Sequence, residues 1–271
     1  MRKLIIHLLV ILLTATTGNA QTKEYDVVIY GGTSAGVAAA IQSSRMGKSV
    51  VLIEPSDHVG GLTTGGLGAT DIGNKGVVGG ISREFYQNIK AHYDNPESWR
   101  WQTRKEYFDS NPRRNQEGED AMWTFEPSVA KKVYADMMDA EKITIFTGQR
   151  LDRSAGVTQQ DNRISAITME SGETYQGKMF IDATYEGDLM ATAGVSYTVG
   201  RESNDQYDET LNGVQANRYN VKLKGGLSLN GIHHNFIEHV DPYVKKGDPS
   251  SGLLPFIHPG GPGVDGSGDK G

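Results

Sequence analysis

Residues 27–55, VVIYGGTSAGVAAAIQSSRMGKSVVLIEP, run from an apolar stretch rich in β-branched residues through a glycine turn and an alanine-rich stretch into a second apolar run. Residues 25–30 suit a parallel strand covered on both faces, because such strands read as continuous apolar runs rather than alternating ones. Residues 34–46 read as a helix, with Val37, Ile41 and Ser44 on one face and Ala38, Ala39 and Ala40 allowing close packing on a sheet. Gly47 stands where such a helix commonly ends. Residues 50–53 form a second buried strand, and Glu54 stands at its C-terminal end. The stretch is therefore a βαβ unit, with parallel strands and a right-handed crossover.

The turn reads Gly31-Gly32-Thr33-Ser34-Ala35-Gly36 where a dinucleotide fingerprint reads Gly-x-Gly-x-x-Gly. Gly31 and Gly36 hold the positions of the sharp turn and of close helix–strand packing. Thr33 stands at the second glycine, where a bare backbone normally approaches a pyrophosphate. Free N–H groups and the dipole at a helix N-terminus favour phosphate. Alone the turn is a weak match; it becomes a cofactor site through the strand before it, the helix after it and Glu54 about 20 residues on, placed to accept hydrogen bonds from ribose hydroxyls. A carboxylate there repels a 2′-phosphate, which disfavours NADP and leaves NAD and FAD. The next loop, HVGGLTTGGLG at residues 58–68, does not belong to an NAD domain. Its paired glycines let the chain run close under a pyrophosphate and a ribityl chain, and Thr63 and Thr64 offer hydroxyl donors. FAD is the expected cofactor.

Further on, residues 57–80 form a long glycine-rich loop, of the kind that is usually functional. Residues 81–93 look helical, with Phe85 and Ile89 on one side; residues 94–121 are polar and without a period. Glu126, Pro127 and Ser128 open a helix through residue 138, with Ser128 as cap and Val129, Val133 and Met137 inward. Residues 143–146 make a third strand. Residues 151–157 and 163–169 flank TQQDN as an antiparallel pair, 179–181 form a strand ending at Asp182, and 186–193 a helix. The fold class expected is α/β: a Rossmann-like FAD-binding domain from residues 21–72 and 122–195, a parallel sheet with helices plus a small antiparallel β-meander. It is interrupted by an insertion at 73–121, and 196–271 would begin a substrate domain.

Composition narrows the alternatives. No cysteine is present, which excludes disulfides, iron–sulfur clusters, zinc–thiolate sites and cysteine nucleophiles from these 271 residues. A net charge of −6 gives no footprint for nucleic acid. Glycine, 34 of 271 residues, favours tight backbone turns against ligands. Arg2 and Lys3 precede an apolar run at 4–13 and small residues ending Gly18, Asn19, Ala20, the layout of a secretory signal peptide cleaved after Ala20. Bacterial export, to the periplasm or beyond, is the expectation. No stable membrane anchor is expected after cleavage, since a spanning helix needs about 20 apolar residues.

Four stretches carry a resemblance: YGGTSAGVAAA (30–40), EPSDHVGGLTTGGLGATD (54–71), FEPSVAKKVYADM (125–137) and FIDATYEGDLMATAGVSYTVGRE (180–202). Together they resemble the FAD-dependent oxidoreductases of the glutathione-reductase-type flavoprotein superfamily, and within it a group of exported bacterial proteins. The resemblance assigns Gly31, Gly32, Thr33, Ser34, Ala35 and Gly36 to the pyrophosphate, with a small hydroxyl residue expected at position 33, and Glu54 to the adenosine ribose. Gly60, Gly61, Leu62, Thr63 and Thr64 are similar to the paired-glycine motif, without its usual arginines. Arg150 and Leu151 would offer backbone groups to adenine. Ala183 and Thr184 match an Ala-Thr-Gly motif in which Tyr185 replaces the glycine. The implied activity is hydride or two-electron transfer from a small-molecule substrate, carbohydrate-related compounds among them, to the flavin. Chains of the superfamily return after the substrate domain to complete the flavin site; nothing of that kind follows residue 196, so a fragment of a longer protein is expected.

Capping explains the acids near element ends, Asp152, Asp182 and Asp188, as well as catalysis does, and only Asp188 is kept as a cofactor contact. His58 and Asp71 lie near the flavin loop, but no catalytic residue is assigned. His233, His234 and His258 read as surface residues rather than a metal site. Trp99, Trp101 and Trp123 serve packing or line a substrate pocket. Two readings compete: a non-catalytic flavin- or nucleotide-binding module, and a polysaccharide lyase, which would need a base and a charge-neutralising group but no βαβ nucleotide site. The oligomeric state is left open.

Overall fold

Residues 27–30 and 50–53 carry no charged side chain, and the fold covers both of their faces. The computed structural model describes residues 24–198, 202–208, 241 and 243–254; the signal-like stretch and His233, His234 and His258 lie outside them. Strand β1 (Glu24–Tyr30) pairs in parallel with β2 (Val50–Ile53), joined by helix α1 (Ser34–Arg45). Val27, Ile29, Val50 and Leu52 enter a core shared with α1, while Val28, Tyr30, Val51 and Ile53 enter a second core on the opposite face. That two-sided burial is why the strands read as unbroken apolar runs. Met46 closes α1, and Gly47 follows at φ +75°, the left-handed conformation that a side chain disfavours.

From β2 the chain passes through short α2 (Gly61–Gly65), α3 (Gly80–Tyr93), α4 (Arg104–Ser110) and α5 (Pro127–Ala140) to β3 (Thr144–Phe146), which lies parallel to β2. The long glycine loop therefore holds a helical turn that its glycines hid. Residues 94–121 hold α4, started by a reciprocal capping box between Thr103 and Glu106. Phe85, Ile89, Tyr93 and Tyr107 bury in the same core as Val37, Ile41 and α5, so this segment packs against the βαβ unit. At the start of α5, Glu126 is the N-cap and Pro127 the first helical residue, and no side chain caps it. Ser128 thus lies inside the helix: proline's fixed φ suits that first helical position, which displaces the cap by two residues.

Strands β4 (Val157–Gln160), β5 (Arg163–Thr168) and β6 (Thr174–Asp182) form the antiparallel meander. Its last strand lies parallel to β1, so one six-stranded sheet results, in the order β3-β2-β1-β6-β5-β4. The meander differs in detail from the sequence reading. Gln160 pairs with Arg163 across a two-residue turn in which Asp161 and Asn162 both have positive φ, the hairpin geometry these residues favour. TQQDN is therefore mostly strand. Residues 152–156 instead turn on the Asp152 carboxylate, which accepts from the N–H groups of Ser154 and Ala155, and Leu151 contributes one bridge to Met169. After β6 comes α6 (Asp188–Thr192), shorter than the helix expected over 186–193 because Gly187, at φ +72°, starts it.

This first compact unit runs to Val195. In the second, α7 (Asn204–Tyr207) and a hairpin of β7 (Tyr243–Lys245) and β8 (Asp248–Leu253) are described. Among the described residues no helix is long and apolar enough to cross a membrane.

Candidate functional site

The site lies where β1, β2 and β6 end side by side. At the end of β1 the chain turns through Gly31, at φ +105°, and Gly31 donates its N–H to the Ile53 carbonyl at 2.8 Å. A Cβ on Gly31 would stand 2.6 Å from the backbone of Ala183 and Thr184, and one on Gly36 only 2.0 Å from the Gly31 oxygen. These two glycines are required by the close approach of α1 and the loop after β6, as the fingerprint demands. Gly32 donates its N–H to Glu54 Oε2 at 2.6 Å, while Ser56 donates both N–H (2.8 Å) and Oγ–H (2.6 Å) to Oε1. Glu54 is buried at 8% exposure, so these three donors replace the water it lost. Each carboxylate oxygen offers about two lone-pair directions. Oε2, with one donor, retains acceptor capacity toward a ribose hydroxyl.

Thr33 is the N-cap of α1: its hydroxyl donates to the Ala183 carbonyl at 2.7 Å and accepts, at 3.4 Å, from the Gly36 N–H. That hydroxyl holds the loop after β6 against the turn, so contact with a phosphate falls to backbone N–H groups. Those of Ser34 and Ala35, in the first turn of α1, have no partner among the described residues.

The paired-glycine loop folds back on this turn. Gly60 donates its N–H to the Gly32 carbonyl at 2.6 Å, and Ser34 Oγ bonds the Gly60 carbonyl (3.0 Å) and Thr63 Oγ1 (2.7 Å). Thr64 Oγ1 donates to the Val59 carbonyl and sits 2.8 Å from His58 Nε2. Thr63 and Thr64 thus shape the loop. Beneath it, burial pushes the Tyr134 hydroxyl pKa up, against the opposing pull of its hydrogen bonds with Ser34 and Thr63.

The loop after β6 is organised by Asp182. Its Oδ1 accepts from Thr184 N–H (2.9 Å) and Oγ–H (2.7 Å), and its Oδ2 accepts from the Met190 N–H at 2.8 Å. Thr184 Oγ1 in turn accepts from the Gly187 and Asp188 N–H groups. Asp188 lies 3.4 Å from Arg153. Tyr185 reaches across, and its Oη accepts the Leu62 N–H at 2.8 Å.

Between these loops lies a cleft of about 330 Å³, lined by Gly31, Thr33, Glu54, Pro55, Ser56, His58, Gly61, Thr184, Tyr185, Glu186 and Asp188. The structure therefore gathers residues from three separate motifs onto one opening. Gly32, Ser34, Ala35, Gly36, Gly60, Leu62, Thr63, Thr64 and Ala183 are not among its lining residues. Arg150 and Leu151 lie beyond it, and two of their backbone groups are engaged: the Arg150 carbonyl by the Glu170 N–H (2.7 Å), and the Leu151 N–H by Tyr30 Oη (2.8 Å). Ser56 and Glu186 were not singled out from sequence, and only Ser56, two residues past Glu54, carried a local signal.

The other candidates fall elsewhere. Trp99 and Trp101 line a separate pocket of about 170 Å³ with Tyr93, Tyr107 and Glu126. Trp123 is buried, donating to Glu119 at 2.9 Å beneath the Arg83 guanidinium. Asp71 is fully exposed, 3.9 Å from Arg114. Among the described residues no group of three or more acidic or histidine side chains is placed to hold a metal.

Comparison with known proteins gives the family and the cofactor. The family described as FAD dependent oxidoreductase matches residues 26–254, and FAD is thereby the cofactor indicated. No curated protein sequence matches. Similar solved structures include L-proline dehydrogenase from P. horikoshii (14% identity, 67% of this chain and 59% of that one, TM-score 0.43). L-amino acid deaminase from Proteus vulgaris is 18% identical over 68% of this chain and 59% of that one, TM-score 0.44. THI4 from Thermovibrio ammonificans is 16% identical over 71% and 73%, TM-score 0.40. The chain thus spans 59% of the length of the first two.

Proposed function

The chain belongs to the FAD dependent oxidoreductase family, and from that premise we propose that it forms the dinucleotide-binding part of an exported flavoenzyme of the glutathione-reductase type. The enzyme takes a hydride, or two electrons, from a small-molecule substrate. One observation carries the reading: the buried Glu54 carboxylate, the glycine turn through Gly31 and the N-cap Thr33, and Gly61 of the paired-glycine loop line one cleft. The residues fit the cofactor, because the buried Glu54 carboxylate keeps an acceptor site on Oε2 and the Ser34 and Ala35 N–H groups at the start of α1 have no partner among the described residues. A cleft of about 330 Å³ is near the lower bound of ligand pockets, roughly 300 Å³, and suits the nucleotide half of the cofactor.

Each part has a task. The Ser34 and Ala35 N–H groups meet pyrophosphate oxygens, favoured by the dipole of a 12-residue helix. Glu54 Oε2 accepts from a ribose hydroxyl, and its ties to Gly32 and Ser56 fix it before the cofactor arrives. Gly60 and Gly61, at φ +105° and +55°, let the next loop run along the pyrophosphate and ribityl chain. When bound, FAD supplies the electron-accepting ring, and the protein supplies position and electrostatics. Export rests on the N-terminal sequence, where Arg2 and Lys3 precede an apolar run and a small-residue cut after Ala20.

The test is the visible spectrum of the purified protein, with flavin released by heat and identified. Bound FAD that bleaches anaerobically with an electron donor is expected. A colourless protein that cannot be reconstituted with FAD refutes the reading, and a yellow one that no donor reduces points to a binding module.

A further inference from the structure

Tyr185 stands where the related Ala-Thr-Gly motif carries its glycine, and the structure gives it a defined place. Its hydroxyl oxygen accepts the Leu62 N–H at 2.8 Å, joining segments 123 residues apart. The same oxygen lies 2.2 Å from where a Cβ on Gly61 would stand, a point only 3.3 Å from Thr33 Cα. The phenol is therefore lodged between the paired-glycine loop and the N-cap of α1, and Gly61 is bare because the phenol needs the space. The residue nevertheless stays 59% exposed on the cleft wall.

A tyrosine hydroxyl both donates and accepts. The Leu62 N–H uses its acceptor side and fixes the oxygen, while its proton has no acceptor among the described residues. A donor is thus held on the wall of the cleft assigned to the cofactor. The neighbouring Thr33 hydroxyl is committed to the Ala183 carbonyl, and the paired-glycine motif lacks its usual arginines. We propose that Tyr185 is a cofactor-binding residue whose hydroxyl donates to a pyrophosphate oxygen of FAD, taking over part of the anion recognition that the second glycine and the arginines supply elsewhere. This rests on the flavin reading of the cleft and extends it to a residue outside the motif.

The experiment is calorimetric titration of the full chain, wild type and Tyr185→Phe, with FAD, ADP and adenosine. The phenylalanine keeps the ring and removes only the hydroxyl. FAD and ADP are expected to bind about tenfold more weakly, the loss of one hydrogen bond to a charged group in a partly exposed site, while adenosine, which has no phosphate, binds as before. A purely structural role would weaken all three ligands together and lower the unliganded melting temperature, and that result overturns the proposal. Unchanged FAD and ADP affinity in the variant also overturns it and leaves the flavin reading intact. A wild-type protein that binds neither FAD nor ADP removes both.

Discussion

Gly36→Ala tests whether the turn is built as described. An added Cβ would lie 2.0 Å from the Gly31 oxygen, 3.1 Å from its carbonyl carbon and 3.3 Å from Ala183 Cβ. Relief to a tolerable contact needs at least about 1 Å of movement, and backbone, not a flexible side-chain end, must move. Gly31 is pinned by its hydrogen bond to Ile53, and Ala183 by its N–H to the Tyr30 carbonyl at 2.7 Å. Overpacking of this kind costs about 1–3 kcal/mol, and a backbone neighbour puts it at the upper end. Alanine recovers up to about 1 kcal/mol of helix propensity, for a net loss of about 2 kcal/mol. At roughly 2–4 °C per kcal/mol for a unit of this size, the unliganded melting temperature should fall by about 4–8 °C. FAD affinity should fall as well, because the first turn of α1 moves. Gly47→Ala is the control: at φ +75° with nothing within 4 Å, it costs about 1–2 kcal/mol of backbone strain and should leave FAD binding alone. Calorimetry with and without FAD reads both. If Gly36→Ala melts and binds FAD as the wild type does, α1 does not pack on the turn as described and the argument fails.

Glu54→Gln leaves one oxygen for donors on two sides, so either the Gly32 N–H or the Ser56 pair faces an NH2 group. A loss of about 1–3 kcal/mol and weaker FAD binding are expected, read by chemical denaturation and titration. Thr33→Val removes the cap and the tie to Ala183 at nearly constant shape and should cost about 1–2 kcal/mol, whereas Thr33→Ser should recover most of it; equal denaturation midpoints for all three would contradict the role. Arg45 forks onto Glu84 at 2.6 and 2.8 Å and reaches Glu141 at 2.8 Å, and the Arg45 hydrogen bonds hold the Glu84 carboxyl below its ordinary pKa. A depressed carboxylate pKa stabilises the fold above the unfolded value, about 4.3, and loses that contribution as pH falls through the folded value. Glu84→Gln should therefore flatten the acid limb of the stability curve while changing stability little at pH 7, since the pair is about one-third exposed.

The βαβ unit was legible because its determinants are local. Two-sided burial writes continuous apolar runs, and the helix stop is a single glycine at positive φ. The meander was legible in kind but not in register. Leu151 is apolar and deeply buried, as a strand residue would be, yet it is held by one bridge and by Tyr30, a partner 121 residues away. The turn at Asp161-Asn162 was present in the sequence but was placed within a longer loop. For the site, Glu54 was found through its distance from the turn. The joining of Tyr185 to Leu62, and of Thr33 to Ala183, could not be found that way, since those bonds cross 123 and 150 residues.

The departure from the fingerprint falls at the one position where the fold allows it. Three glycines in such a turn relieve three different collisions. At Gly31 the obstacle is the backbone of Ala183 and Thr184, and at Gly36 it is the Gly31 oxygen; both are collisions of protein with protein, present whether or not a cofactor is bound. The second glycine relieves a collision with the ligand. A side chain at that position is therefore compatible with the unliganded fold. The Thr33 hydroxyl is drawn to the Ala183 carbonyl, and its cap bond to Gly36 orders the first turn of α1. A residue of the same size without the hydroxyl would lose both restraints, and for that reason Thr33→Val, more than any change of bulk, separates a turn held by its side chain from one that merely tolerates it.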